Sequence, residues 1–319
     1  MTVAVENRAG NGVDAKRPAW ERLKRLAQVD LSWDEPLSAH TTFRIGGPVK
    51  CLARPKTEDA LKALLRWAAE ASVPYWVLGG GSNVLAPDGP WESLAIRLDG
   101  MFGAVECAEA AGGAVRLKVG AGVKLARLLG YCLRYRLSGM EFLVGIPGTL
   151  GGAVVMNAGT AEGSLSQVLE GISVLCADGS SRWMPIGELS PGYRFLNLPS
   201  SVIVLGATLS LRRAPREEIR RRMSQGMRVR RRTQPLNLPS AGCVFKNPPG
   251  RPAGALIESA GLKGCRIGGA EVSTRHANWI VNRGGATAGD VRQVMERVEE
   301  RVFKRFGVRL EREIRVLEP

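Results

Sequence analysis

The chain has 319 residues, 45% hydrophobic and 24% charged. That composition excludes a disulfide-stapled miniprotein or a mainly disordered chain, and the length points to about two domains at roughly 150 residues each. Lysine and arginine number 45 against 30 acidic residues, for a formal charge of +15 and a pI near 10.1, so a polyanion has to be considered as partner, whether nucleic acid or a phosphorylated cofactor or substrate.

Residues 1–17 are polar without a period and read as a mobile tail; they lack the apolar core of a signal peptide. No stretch approaches the roughly 18 apolar residues of a membrane span. Six scattered cysteines with no CxxC pair, and only the two histidines His40 and His276, leave no zinc-type metal site. The expectation is a cytoplasmic protein with reduced thiols and no membrane partner.

From Ala19, the positions Leu23, Leu26 and Ala27 suit a helical turn or two. DEPLSAHTTFRIGGPVKCLARP predicts strands around a Gly-Gly turn, and TEDALKALLRWAAEASVP a helix capped by Thr57, with an apolar stripe of Ala60, Leu61, Leu64, Leu65 and Ala68. The apolar run YWVL then feeds directly into GGGSN. LAIRLDG and VRLKVGAG read as strands, VKLARLLGYCLRYRL as a helix, and GISVLCADGSSRWMP as a hairpin turning at Asp178-Gly179.

After the strand SVIVLGATLSLRR the composition shifts: Arg212 to Arg232 holds ten arginines and two glutamates, and a domain boundary is placed there. The remainder reads as the strand SAGCVFKNP, the helix AGALIESAG, the strand ANWIVNRGG, then a helix and a strand. Thr287 and Asp290 have the spacing of a capping box, and Val291, Val294, Met295, Val298, Val302 and Phe306 form one helical stripe. In the last strand Val308, Leu310, Arg312, Ile314 and Val316 share a face, with Glu311 and Glu313 on the other.

Two glycine-rich segments carry the chemical signal. Gly79-Gly80-Gly81-Ser82-Asn83 follows a buried strand, where residues without side chains let backbone N–H groups approach a pyrophosphate; a run of three glycines serves equally as a tight turn. It is not a dinucleotide fingerprint of the Rossmann kind, since Val84 stands where the third glycine belongs, and Gly120-x-Gly122 fails likewise at Leu125. No GxxxxGK[ST] occurs, so a P-loop NTPase is out. With the second segment, Gly145 to Gly159, the pattern suggests a dinucleotide held between two lobes of another fold.

HTTFRIGGP, VPYWVLGGGSNVL, GIPGTLGGAVVMNAG, PGYR, SAGCVFKNP, GLKGCRIGGAEVSTRHANWIVN and LEREIR, in this order over roughly residues 30–317, resemble the UDP-N-acetylenolpyruvoylglucosamine reductases. The resemblance implies an α+β chain: a two-lobed FAD-binding domain of the vanillyl-alcohol-oxidase (PCMH) type over 18–212, with lobes of about 18–100 and 101–212, then a smaller α+β substrate-binding domain over 213–319. The short stretch after Tyr193 matches the branch without an extra substrate-covering loop.

The resemblance further implies noncovalent FAD, with NADPH as reductant of an enolpyruvyl C=C bond in a nucleotide sugar. Gly79, Gly80, Gly81, Ser82 and Asn83, together with Gly145, Ile146, Pro147, Gly148, Thr149, Asn157 and Gly159, would hold the cofactor. Arg194 stands at the family's catalytic arginine and Glu313 at its C-terminal acid; taken alone, each also reads as a surface charge. Cys243 occupies the position where many relatives place a serine proton donor. A thiol near pKa 8.5 is mostly protonated at neutral pH and is the stronger acid, although cysteine is more often a packed core residue. Tyr193, Arg231, Lys246, Asn247 and His276 fall at nucleotide-sugar positions, His276 where other branches have Gln, so a hydrogen-bonding role is expected of it.

Two rivals remain at this point: another FAD oxidoreductase on the same scaffold, and a basic nucleic-acid binder. With 6% aromatic residues and no interleaving of basic and aromatic side chains, the sequence gives the binder no stacking platform. The expectation is a monomer without a nucleic-acid partner.

Overall fold

The computed structural model describes residues 3–5, 19–109, 113–199 and 201–318. They form two compact units: Met1–Glu35, Val49–Gly80 and Glu92–Met227 in the first, and Pro36–Pro48, Gly81–Trp91 and Arg228–Pro319 in the second. Of the expected mobile tail only Val3–Val5 is described, as a strand paired antiparallel with Tyr75–Val77; the rest of 1–17 lies outside the described residues.

The first unit is built on two sheets. One runs in the order Val3–Val5, Tyr75–Val77, Trp91–Ile96, Pro48–Pro55, Val29–Pro36. The helix Glu58–Glu70 links two of its strands and begins as expected, with the Thr57 hydroxyl accepting from the Ala60 N–H at 3.0 Å. It buries Ala60, Leu61, Leu64, Trp67 and Ala68; Leu65, at the flank of that face, is only half-buried. The second sheet is antiparallel, ordered Ser181–Pro185, Leu169–Leu175, Ile203–Arg213, Ala114–Gly120, Val105–Glu109, with Leu137–Ser138 joined to the end of Ile203–Arg213. Its first hairpin turns at Asp178-Gly179, where Gly179 has φ 81° and donates its N–H to the Cys176 carbonyl at 3.0 Å. Alternating residues such as Val115, Leu117 and Val119 join Ile172, Val174, Leu209 and Leu211 in the core.

In the second unit four antiparallel strands run in the order Ser240–Cys243, Trp279–Asn282, Ala270–Val272, Arg266–Ile267. Leu256 and Ile257 of the helix Ala253–Ser259 and Val291, Val294, Met295, Val298 and Val302 of the helix Ala288–Phe306 share one core with Val272 and Ile280. The Thr287–Asp290 capping box forms as the spacing predicts, and Gly307 ends the helix at φ 68°. Sequence-distant Asp88 adds to the cap, its carboxylate accepting from the N–H groups of Ala288 at 2.6 Å and Gly289 at 3.0 Å.

The boundary expected near Arg212 is not where the chain divides. Arg216–Thr233 is one unbroken helix with a single fully buried residue, Ile219; its arginines are exposed except the half-buried Arg230, and the division falls within it, after Met227. The composition shift marks a largely solvated helix, and the division lies inside that arginine-rich stretch, past Arg212. Two stretches assigned to the cofactor domain, 36–48 and 81–91, belong instead to the second unit, tied in by parallel pairing of Val84–Leu85 with Arg315–Val316 and by the Asn282 amide donating to the Phe43 carbonyl at 3.1 Å. The last strand is also shorter than its alternation suggests. Only Arg315–Val316 is regular, because the Val244 carbonyl draws in both the Glu313 N–H at 2.7 Å and the Ile314 N–H at 3.3 Å. Among the described residues no helix is long and apolar enough to cross a membrane.

Candidate active site

In the first unit the two glycine-rich segments meet. A Cβ on Gly80 would lie 2.5 Å from the Gly148 Cα, an approach only glycine permits. Gly145 and Gly148 both have positive φ, at 73° and 123°, and Thr149 leads into the helix Leu150–Val155. The segment is pinned by its backbone: the Gly148 carbonyl accepts from Leu125 at 3.0 Å, and Leu150 and Gly151 donate to Val123 and Ala121 at 2.9 Å each. Ile146 is half-buried and Pro147 exposed.

The GGGSN run does not act as one loop. Gly79 and Gly80 belong to the first unit, and Gly81, Ser82 and Asn83 to the second. Gly81 has φ 62°, and a Cβ there would lie 1.9 Å from the His40 carbonyl oxygen. Its own carbonyl accepts from the Thr42 N–H at 3.0 Å, while the Thr42 hydroxyl donates to the Ser240 carbonyl at 2.7 Å. The tight-turn reading therefore describes Gly81, while Gly80 is a point of backbone-to-backbone contact with Gly148.

A cleft in the first unit is lined by Gly79, Gly122, Thr149, Gly151 and Gly152, with apolar walls from Val77, Leu78, Leu98, Val155, Ile203 and Val204. Arg97 and Asp99 also line it, ion-paired at 2.9 Å. Glycine backbone beside apolar walls fits a dinucleotide cofactor. Of these cleft-lining residues, Leu98, Asp99, Gly122, Gly151 and Gly152 are not among the candidates read from the sequence. For Gly122 the signal lies in Gly120-Ala121-Gly122, whose spacing excludes only a Rossmann fingerprint, while Gly151 and Gly152 lie within the second glycine-rich segment. A Cβ on Gly122 would stand 1.9 Å from the Leu98 carbonyl oxygen, so this glycine is a point of backbone contact in a different fold.

Arg194 sits with Tyr193 in the turn between the paired strands Pro191–Gly192 and Phe195–Leu196, at a left-handed φ of 65°. Its Nη1 donates to the Gly159 carbonyl at 2.8 Å, and its guanidinium lies 5.2 Å from the ring of the half-exposed Tyr193. Asn157, expected at the cofactor, has both ends of its amide bonded within the protein: Nδ2 donates to the Gly192 carbonyl at 3.0 Å and Oδ1 accepts from the Ser166 N–H at 2.9 Å.

In the second unit Cys243 ends a strand, opposite Trp279, after a β-bulge centred on Gly242 at φ 80°. Such a bulge turns the following side chain away from the regular ladder direction. Glu313 is brought beside it in the chain path by its N–H bond to the carbonyl of Val244, the residue after Cys243, and the Glu313 carbonyl accepts from Asn83 Nδ2 at 3.1 Å. Cys243, Glu313 and Asn83 thus come from three separate stretches of sequence and share one small backbone framework.

The expected sugar-nucleotide residues are placed less uniformly. Lys246 is ion-paired with Glu311, and Asn247 Oδ1 accepts from the Ala253 N–H at 2.9 Å, capping a helix. Arg231 lies exposed in the last turn of its helix, and its carbonyl accepts from Arg275 Nη1 at 3.3 Å. The His276 Nδ1 accepts from the Asn278 N–H at 3.3 Å, which leaves Nε2 to carry the proton of the neutral ring. Burial, and secondarily the nearby Lys263, lower its pKa and favour that neutral form. Among the described residues no group of three or more His, Cys, Asp or Glu side chains is placed to hold a metal ion.

Comparison with known proteins finds relatives along nearly the whole chain. Residues 49–184 match the model of an FAD binding domain, and residues 234–317 that of the UDP-N-acetylenolpyruvoylglucosamine reductase C-terminal domain. A protein of Syntrophobacter fumaroxidans named UDP-N-acetylenolpyruvoylglucosamine reductase is 51% identical over 94% of this chain and 87% of its own length. The Myxococcus xanthus protein of the same name is 43% identical over 93% and 95%. The crystal structure of the Thermus caldophilus reductase superposes with a TM-score of 0.77 at 41% identity, covering 91% of this chain and 99% of that one. By sequence over its length and by fold, the chain belongs to the UDP-N-acetylenolpyruvoylglucosamine reductase family.

Proposed function

We propose that this chain reduces the enolpyruvyl ether of UDP-N-acetylglucosamine to UDP-N-acetylmuramate, a step of peptidoglycan precursor synthesis, using NADPH. The observation that carries the reading is the glycine-walled cleft of the first unit; within the second unit, the bulge at Gly242 that precedes Cys243 and the Glu313 segment bonded to Val244 add to it. Gly79, Gly80 and Gly145 to Thr149 would hold FAD, offering backbone N–H groups to its phosphates. Bound there, FAD supplies hydride transfer between NADPH and the enol ether.

Three side chains of the protein do the rest. Arg194 pairs its planar fork with the enolpyruvyl carboxylate and stabilises the charge that builds there as the hydride arrives. Cys243, as a neutral thiol, gives its S–H proton to the neighbouring carbon, so that a hydride and a proton together saturate the double bond, and the thiolate regains its proton from water. Glu313 assists that charge stabilisation or protonation. Tyr193, Arg231, Lys246, Asn247 and His276 serve the nucleotide sugar, His276 as a neutral Nε2–H donor and Asn247 by ordering the start of its helix. The proposal includes a cytoplasmic monomer acting without a nucleic-acid or membrane partner.

The test is anaerobic and direct. Purified protein should carry flavin, be bleached by NADPH, and regain its colour when the enolpyruvyl substrate is added. Bleaching that the enolpyruvyl sugar fails to reverse, while another acceptor succeeds, would place the chain with a different FAD oxidoreductase. Protein without flavin that binds duplex DNA with a steep salt dependence would support the nucleic-acid rival.

A further inference from the structure

Arg194 is carried on a weak support. Its hairpin has only two residues on each side, Pro191–Gly192 and Phe195–Leu196, and an isolated pair of this length does not hold its own geometry. The residue itself is in the left-handed region, and an arginine side chain has much rotamer entropy to lose. Catalysis by fixed charge requires that this freedom be removed before the reaction begins.

Two anchors remove it, both from the segment that follows the helix Leu150–Val155. The Asn157 amide donates to the Gly192 carbonyl at 3.0 Å, two residues before Arg194, while Ser166 holds the other end of that amide at 2.9 Å. Gly159 accepts one guanidinium N–H at 2.8 Å. The Gly159 carbonyl is itself fixed, because Gly159–Thr160 pairs with Gly163–Ser164 so closely that a Cβ on Gly159 would lie 2.4 Å from the Gly163 carbonyl oxygen. Asn157 is buried, so its bond to Gly192 is sheltered from competing water.

We propose that Asn157 is a positioning residue for Arg194: its amide sets the backbone of the arginine's hairpin while the carbonyl of Gly159 sets the guanidinium. The inference rests on Arg194 acting on the substrate carboxylate. Asn157 also stands just past a helix end at φ 40°, a place that favours Asn or Gly for conformational reasons alone. Only the clamp requires the amide. A guanidinium carries five N–H donors, so engaging Gly159 does not exhaust the fork that meets the carboxylate.

Asn157→Gly separates the two roles, since glycine adopts positive φ without strain and deletes the amide. Asn157→Asp keeps the acceptor for Ser166 but turns an oxygen toward the Gly192 carbonyl. Both variants should retain stoichiometric FAD and be reduced by NADPH at the parent rate, with Asn157→Gly melting close to the parent and Asn157→Asp melting lower, because its carboxylate is buried against a carbonyl oxygen. Reoxidation by the enolpyruvyl substrate should slow on the order of tenfold to a hundredfold. In an Arg194→Ala background, Asn157→Gly should add no further slowing, as coupled residues do in a double-mutant cycle.

Reoxidation of Asn157→Gly at the parent rate, slowing that simply multiplies with that of Arg194→Ala, equal slowing of both half-reactions, or loss of FAD would each overturn the clamp; the last would return Asn157 to the cofactor. If Arg194→Ala itself reoxidises normally, the role of Arg194 falls and the clamp with it. A slow Arg194→Ala beside a normal Asn157→Gly removes the clamp alone.

Discussion

Gly80 and Gly148 touch through their backbones: a Cβ built on Gly80 would stand 2.5 Å from the Gly148 Cα and 3.1 Å from its carbonyl carbon. Neither obstacle is a flexible side-chain end, so any larger residue at 80 must push the two glycine segments apart. Gly80→Val should therefore purify with most of its flavin lost, at a cost of about 1–3 kcal/mol for overpacking at the contact. The ratio of visible flavin absorbance to protein absorbance reads this directly. Full occupancy in the valine variant would detach this contact from the cofactor.

The division of labour among charged groups can be measured by half-reaction. Charge accumulates on the substrate only when the enol ether is reduced, so Arg194→Ala and Glu313→Ala should leave bleaching by NADPH nearly untouched and slow reoxidation, Arg194→Ala by about 10²-fold or more. Stopped-flow traces of the two phases are the measurement. Slowing both phases equally would mean that these residues maintain the fold rather than act on the substrate.

What was legible in the sequence follows from the range of each signal. Helix ends and hairpins were readable because Thr57, the Thr287–Asp290 pair and Asp178-Gly179 act within a few residues of themselves. The unit boundary was not, because the bonds that decide it join Phe43 to Asn282 and Val84 to Arg315, far apart in the chain. The site divides the same way. Gly79 and Gly80 announced themselves, but the local pattern does not distinguish Gly80, which lets backbone approach backbone, from Gly81, which makes a turn against His40. Asn157 drew notice through a family motif, and its hydrogen bonds to Gly192 and Ser166 become visible only once the chain has folded back on itself.

Gly242 explains why the residue before Cys243 carries no side chain. There is open space around a Cβ at that position, so sterics with neighbours do not forbid one, but the φ of 80° does. Gly242→Ala should cost about 1–2 kcal/mol of backbone strain and, by relaxing the bulge, slow reoxidation although Cys243 is intact. Cys243→Ser should stay active, since a hydroxyl also relays a proton, while Cys243→Ala should lose a factor of about 10² to 10⁴ in reoxidation and keep its reduction by NADPH. Reoxidation of Cys243→Ala at the parent rate would make Cys243 a packing residue and leave Glu313, acting through water, as the donor to test.

His276 should give the protein an acid-side weakness. Burial first, and Lys263 second, lower its folded pKa below the 6.5 of an ordinary histidine, which is close to its value in the unfolded chain. Between those two values the unfolded state binds more protons than the folded one, so stability falls as pH drops through about 6.5 and levels off only below the folded pKa. Above 6.5 the ring is neutral in both states and the contribution is constant. Protonation would also turn Nδ1 from acceptor to donor and break its bond with the Asn278 N–H, 3.3 Å away. His276→Gln keeps a hydrogen-bonding side chain and has no proton to gain, so its melting temperature should decline less than the parent's between about pH 7 and pH 5. Thermal melts of both holoenzymes across that range make the comparison. Identical slopes would mean that the acid sensitivity arises elsewhere and that His276 titrates alike folded and unfolded.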